Sequence, residues 1–183
     1  VKQTPSYTGR YFDSVSDILL NFCFLYSISY TTQGSLLWVA IAFMAMQLQG
    51  TLYNYYYVIL RNKVDGDTTS RVFEDKPPVA LTGEKQSTVD RWFWTYTFCY
   101  VAFDKAIYWL DRNAEQAHCY PKWFMTLVSA FGLGFQLLII SVMLCLGLAE
   151  HVVAFLIGYS ALIFVFIGIR QYLNRATDAE QYH

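Results

Sequence analysis

Charge is scarce in this sequence. Only 15% of its 183 residues are Asp, Glu, Lys or Arg, and the formal net charge is -1. So even a balance gives no global attraction to a polyanion, and no nucleic-acid partner is expected. Cysteine is sparse as well. Cys23, Cys99, Cys119 and Cys145 show no CxxC spacing, which leaves neither a disulfide framework nor a zinc site to read. Three of the four lie in apolar stretches, where a free thiol behaves as a small hydrophobe. His118 stands beside Cys119 without partner ligands at the usual spacing, and His151 and His183 read as interfacial or tail residues. There is no internal repeat and no low-complexity run. The first residues show no n-region, h-region or cleavage pattern, so no secretory signal peptide is expected among them. Val rather than Met at position 1 leads us to expect a processed chain or a piece of a longer one.

What is present is apolar surface. Hydrophobic residues make up 55% of the chain and aromatics 19%. Leu36 to Leu60, Trp123 to Ala149 and Val152 to Ile169 carry no charged residue. A spanning helix needs about 20 mostly apolar residues, and these three segments meet or nearly meet that length. Ile18 to Thr32 is shorter, but a helix starting near Gly9 would be long enough. Hydrocarbon offers no partner for loose backbone groups, so helices are the expected form. The expected fold is an all-α, multi-pass bundle embedded in the lipid bilayer as a single domain over 1–183. Its four spans are expected at about 14–33, 36–60, 123–148 and 151–170.

With those spans, the connections near 31–35 and 149–151 share one face and carry only Glu150. All 13 Lys and Arg residues then sit on the other face, which the positive-inside rule assigns to the cytoplasm. Residues 61–90, with Pro77-Pro78 and the turn-like Asp65-Gly66-Asp67, read as a cytoplasmic loop. Residues 91–112 are rich in Trp, Tyr and Phe but include Asp104 and Lys105. Asp90, Thr97, Asp104 and Asp111 recur every seventh residue, a narrow polar stripe on a helix. An amphipathic helix lying in the interface is expected there, with Trp92, Trp94 and Trp109 at headgroup depth; a fifth span is the alternative. The Tyr53 to Tyr57 run reads as an aromatic belt.

One polar constellation opens the first span: Gly9, Asp13 and Asp17, spaced four apart and so on one helical face. Two carboxylates at the mouth of a bundle suit a hard cation such as Mg²⁺, which is held by one or two carboxylates plus ligand phosphates. A glycine one turn earlier permits close approach of a ligand or backbone. Acidic residues in the first turns of a helix are also what the macrodipole favours, so spacing alone leaves both readings open. Gln47, Thr51 and Asn54 recur at helical spacing in the second span. They could line a polar cavity beside the Asp face or serve as interhelical hydrogen bonds. Arg10, Arg61 and Lys63 could meet phosphate or simply anchor the helix ends.

The Gly9-x-x-x-Asp13-x-x-x-Asp17 segment resembles the second half of the signature of the CDP-alcohol phosphatidyltransferase family, D-x-x-D-G-x-x-A-R, eight residues, then G-x-x-x-D-x-x-x-D. Val1 to Thr8 match the spacer in length, and Phe12 and Ser14 fit frequent family choices. The first half of the signature would end just before Val1, and Ile18 stands where many relatives have Lys or Arg. The resemblance implies the third to sixth helices of a six-helix fold, with two helices expected ahead of Val1. It implies transfer of a phosphoalcohol group from a CDP-linked lipid or alcohol donor to an acceptor hydroxyl, with release of CMP. It further implies two divalent ions, Mg²⁺ or Mn²⁺, with Asp13 and Asp17 as metal ligands, Asp17 also as general base, and Gly9 against the nucleotide. Arg10, Gln47 and Asn54 are candidate acceptor-pocket residues. A homodimer is expected from the resemblance alone. A non-catalytic membrane scaffold, or a prenyltransferase of the UbiA type, are the other readings of the same residues.

Overall fold

A computed structural model describes residues 5–63, 74–117 and 120–181. Among them the chain is all-helical in class, with no strand. Its elements are α1 (Tyr7–Thr31), α2 (Leu36–Lys63), α3 (Gln86–Leu110), α4 (Lys122–Val128), α5 (Leu133–Cys145), α6 (Val152–Tyr159) and α7 (Ala161–Gln181). The Asp65-Gly66-Asp67 turn, His118, Cys119 and His183 lie outside the described residues.

The α1–α2 hairpin is set by its turn. Gln33 takes the left-handed conformation (φ 53°), its N–H donates to Tyr30 O, and the Gly34 N–H donates to Ser29 O at 2.8 Å. This reciprocal pair of bonds satisfies carbonyls that the end of a helix otherwise leaves open. A Cβ on Gly34 would come within 2.6 Å of Ser29 Oγ, so a side chain there requires the Ser29 hydroxyl to turn away. The hairpin brings the start of α1 and the end of α2 to the same end of the molecule.

Two helices, Leu36–Lys63 and Ala149–Arg175, are long and apolar enough to cross a membrane. Lys122–Phe131 and Leu133–Cys145 make a third candidate if the pair counts as one span, although they meet at 55°. The uninterrupted 123–148 span expected from composition is therefore broken. The bend falls at Gly132, whose backbone is extended (φ -65°, ψ 147°). A Cβ there would stand 3.0 Å from Ser129 O and 3.5 Å from the Tyr53 ring. α1 has the length, at 25 residues, but does not stand among the helices apolar enough to span; Asn21, Ser27, Ser29 and its tyrosines dilute it.

α2 is the central element and touches α1, α3, α4 and α6. One apolar cluster joins Leu52, Tyr56 and Ile59 of α2 to Ile107, Phe124, Phe131 and Phe166. A second joins Leu25 and Ile28 of α1 to Val39, Met46, Ile140 and Leu156. Between them runs a buried amide chain. Gln136 Nε2 donates to Gln49 Oε1 at 2.9 Å and to Met46 O at 3.2 Å, and Gln49 Nε2 donates to Leu156 O and Ser160 Oγ, both at 3.0 Å. The chain ties α2 to α5 and to the α6–α7 junction; polar groups this deep are tolerable only because they bond one another.

α3 begins at Gln86, five residues earlier than composition suggested, and follows an irregular segment from Glu74 to Lys85. Its first turns pack on the start of α1: Phe93 meets Tyr11 edge-on at 5.8 Å, Trp92 meets Phe12 at 5.0 Å, and Tyr100 OH donates to Ser14 O. Its last residues meet the closing turns of α2. Tyr56 OH donates to Asp111 Oδ2 at 2.7 Å and Tyr55 OH to Asp111 O. Both ends of α3 thus pack at the same end of the hairpin, and the helix lies across it. Trp94 and Trp109 are exposed, while Tyr55 and Tyr56, expected in an aromatic belt, are buried.

Two glutamates fasten the segment before α3 to α1. Glu84 accepts from the N–H groups of Tyr7 and Thr8 and from Ser6 Oγ, whose own oxygen caps Gly9 N. A carboxylate at this position meets the orphan N–H groups and the positive end of α1. Burial alone would raise the Glu84 pKa; the hydrogen bonds from Thr8, Ser6 and Tyr7 outweigh it and hold it at about 2, below its ordinary 4.5. A group depressed in this way stabilises the fold fully above pH 4.5 and loses that contribution as pH falls toward 2. The expected outcome for Glu84→Gln is a lower melting temperature in detergent at pH 6, with the deficit shrinking steadily between pH 4.5 and 2. A deficit that stays constant over that window would contradict the assignment.

Candidate functional site

The face of α1 that begins at Gly9 does not stay together in its surroundings. Gly9 is exposed, and a Cβ there would meet only the cap, Ser6 Oγ at 3.2 Å. Asp13 is exposed; Asp17, one turn further in, is partly buried and lines a half-open cavity of about 240 Å³. α2 contributes Gln47, Thr51 and Asn54 to the same cavity, α3 contributes Tyr96, Tyr100 and Asp104, and α5 contributes Gln136. Spacing in the sequence thus brought Asp17, Gln47, Thr51 and Asn54 forward, and the fold places all four around one space.

Arg10 lies elsewhere. Its guanidinium pairs with Glu74 at 2.5 Å and stands 4.6 Å over the Tyr11 ring, and Tyr11 OH donates to the other Glu74 oxygen. It does not line the cavity. Three polar lining residues, Asn21, Asp104 and Gln136, were not site candidates on the sequence. Asn21 continues the four-residue spacing of Asp13 and Asp17, so the same helical arithmetic could have found it. Asp104 belongs to the seven-residue stripe of α3, and because α3 lies across the hairpin that residue is turned inward. Gln136 had no local signal, since it is an isolated amide in an apolar run.

The cavity wall holds polar atoms that the protein leaves unused. Asn21 Oδ1, Gln47 Nε2 and Thr51 Oγ1 are buried without a hydrogen-bond partner. Buried polar atoms are almost always paired, and each unpaired one costs about 1–3 kcal/mol. All three residues line one cavity together with Asp17 and Asp104, and a polar ligand or ordered water that reached these atoms would complete their bonding. Among the described residues no group of three His, Cys, Asp or Glu side chains gathers closely enough to hold a metal by itself. Asp13 and Asp17 are hard oxygen donors of the type divalent cations prefer, and they fit as part of a donor set whose other members would be ligand phosphate oxygens and water.

No protein-family model matches the chain, and no curated protein and no solved structure matches it either.

If the unpaired atoms are kept for a ligand rather than for the fold, they are dispensable to stability. Thr51→Val should raise the free energy of unfolding in detergent, by up to about 1–3 kcal/mol, because it removes a buried hydroxyl that has no partner. Gln136→Leu strips Gln49 of its donor and should cost about 1–3 kcal/mol. Equal losses in the two variants would show that Thr51 is bonded within the protein.

Proposed function

We propose that the chain carries a membrane phosphotransferase site, moving a phosphoalcohol group from a CDP-linked donor to a hydroxyl with release of CMP. The observation that carries this reading is the placement of Asp17, in its G-x-x-x-D-x-x-x-D segment, on a polar cavity whose buried Asn21, Gln47 and Thr51 atoms have no partner within the protein.

The chemistry assigns each residue a task. The acceptor hydroxyl attacks the phosphorus that carries the alcohol, and the bond from that phosphorus to CMP breaks. Asp17 takes the hydroxyl proton as the new P–O bond forms, a role for which a carboxylate within hydrogen-bond reach contributes typically 10²–10⁴-fold. Gln47, Thr51 and Asn54 offer amide and hydroxyl groups that orient the acceptor. Asp13 and Asp17 would hold divalent ions, Mg²⁺ or Mn²⁺, and when bound these neutralise the donor diphosphate and the departing CMP. A site of this kind fits the boundary of a bilayer: acyl tails remain in lipid while the head group enters the polar cavity. The face that carries the Lys and Arg residues is then cytoplasmic, and α3, lying across that end with Trp94 and Trp109 exposed, sits in the interface.

Assayed in the full-length protein with CDP-alcohol donors, Asp17→Asn should lower CMP release at least about 100-fold, and Asp13→Asn should do the same while raising the Mg²⁺ concentration needed for half-maximal rate. Gln47→Ala and Asn54→Ala should raise the acceptor KM with a smaller effect on kcat. Near-normal turnover in either Asp variant sinks the role of that residue.

A further inference from the structure

A second polar pocket, of about 380 Å³, lies where the end of α3 meets the last turns of α7. It shares no lining residue with the Asp17 cavity. Asp104 on the first and Asp111 on the second are seven residues apart, about 10 Å along the helix. The second pocket is lined by Asp111, Arg112, Asn113, Arg170, Asn174 and Arg175, among others.

Its charge is one-sided. Among the described residues Asp111 supplies the single lining carboxylate, and that carboxylate is already engaged: Arg170 Nη2 donates to Oδ1 and Tyr56 OH to Oδ2. Three arginines line the pocket with it, an excess of two positive charges among the described lining residues. Arg112 and Arg175 are exposed, and among the described residues no ion pair holds either of them. Arg170 is different in kind. Its side chain is 3% exposed, its Nη1 reaches Asn113 O at only 3.4 Å, and its Nε–H is buried with no partner. A guanidinium is costly to bury unless its donors are used, so the orphaned Nε marks a place where an acceptor oxygen is missing.

We propose that this pocket binds a phosphate monoester through Arg170, Arg112 and Arg175. Guanidinium groups bind phosphate oxygens through paired, charge-assisted hydrogen bonds, and a dianion matches the excess of two charges. Asn113 and Asn174 supply polar neighbours for whatever the phosphate is attached to, and the volume leaves room for a small alcohol beyond it. The monoester could be a soluble phosphate compound or the headgroup of a lipid such as phosphatidic acid, since the pocket lies at the end of the Ala149–Arg175 span. The site stands on its own residues and does not depend on the phosphotransferase reading.

The test uses the purified full-length protein and two probes. Glycerol phosphate is titrated calorimetrically into protein in a zwitterionic detergent, and nanodiscs of phosphatidylcholine are compared with nanodiscs containing one-fifth phosphatidic acid, reading the melting temperature. Saturable glycerol phosphate binding identifies a soluble ligand; stabilisation by phosphatidic acid alone identifies a lipid headgroup. In either case Arg112→Gln/Arg175→Gln should weaken the response at least tenfold. Lys85→Gln/Lys105→Gln, which removes the same charge elsewhere, and Asp17→Asn, which alters the other cavity, should leave it within twofold. No response to either probe, or equal weakening by the two double variants, overturns the proposal. Loss in Asp17→Asn as well would merge the two pockets into one site and overturn the claim that they are separate.

Discussion

Asp111 is the point at which three helices are held together. Its carboxylate takes the Tyr56 hydroxyl of α2 and the Arg170 guanidinium of α7, and its carbonyl takes Tyr55. Both charges are almost fully buried. Such a pair adds little net stability over a well-packed apolar equivalent, but removing one partner strands the other and costs about 3–5 kcal/mol. Its consequence is therefore one of geometry. It fixes the end of α3 against the closing turns of α2 and α7, and so makes α3 lie across the hairpin. That placement brings Tyr96, Tyr100 and Asp104 to the cavity that Asp17 lines, and gives it a third wall beside those of α1 and α2.

The buried amide chain does the corresponding work further along. Gln49 and Gln136 hold α5 and the α6–α7 junction to α2, while the bend at Gly132 brings α5 to the cavity wall. The two networks differ in a way that bears on function. Gln49 Nε2 and Gln136 Nε2 both donate within the protein. Asn21, Gln47 and Thr51, only a turn or two away, each keep a buried atom unpaired. A chain built only to pack would be expected to pair or replace them; keeping them unpaired is economical where a ligand supplies the partner.

Much of this was legible in the sequence, and the limits have physical causes. Helical periodicity is local, so residues on one helix face could be grouped: Asp13 with Asp17, and Gln47 with Thr51 and Asn54. The same arithmetic reached Asn21 without being applied. Helical content and the apolar segments followed from composition, since a long uncharged run has few alternatives to helix. Contacts between distant segments carry no such signature. Nothing local in Arg170 or Asp111 says that they pair across 59 residues, or that Arg10 spends its charge on Glu74. The Asp90–Asp111 stripe was visible as a stripe, but its direction depends on what α3 packs against. The break at Gly132 was hidden because hydropathy stays high through it; the only local hint was glycine at both 132 and 134.

We propose that the Asp13–Asp17 end of α1 and the adjoining cavity receive a divalent ion together with a phosphate-bearing ligand. The most direct test is an electron paramagnetic resonance titration of Mn²⁺ into the full-length protein, with and without a CDP-alcohol. The account predicts that the sharp six-line signal of free Mn²⁺ is lost on binding, more tightly when the CDP-alcohol is present, and that Asp13→Asn/Asp17→Asn restores it. A free-ion spectrum that neither the protein nor the nucleotide diminishes, or binding that the double variant leaves intact, would contradict it.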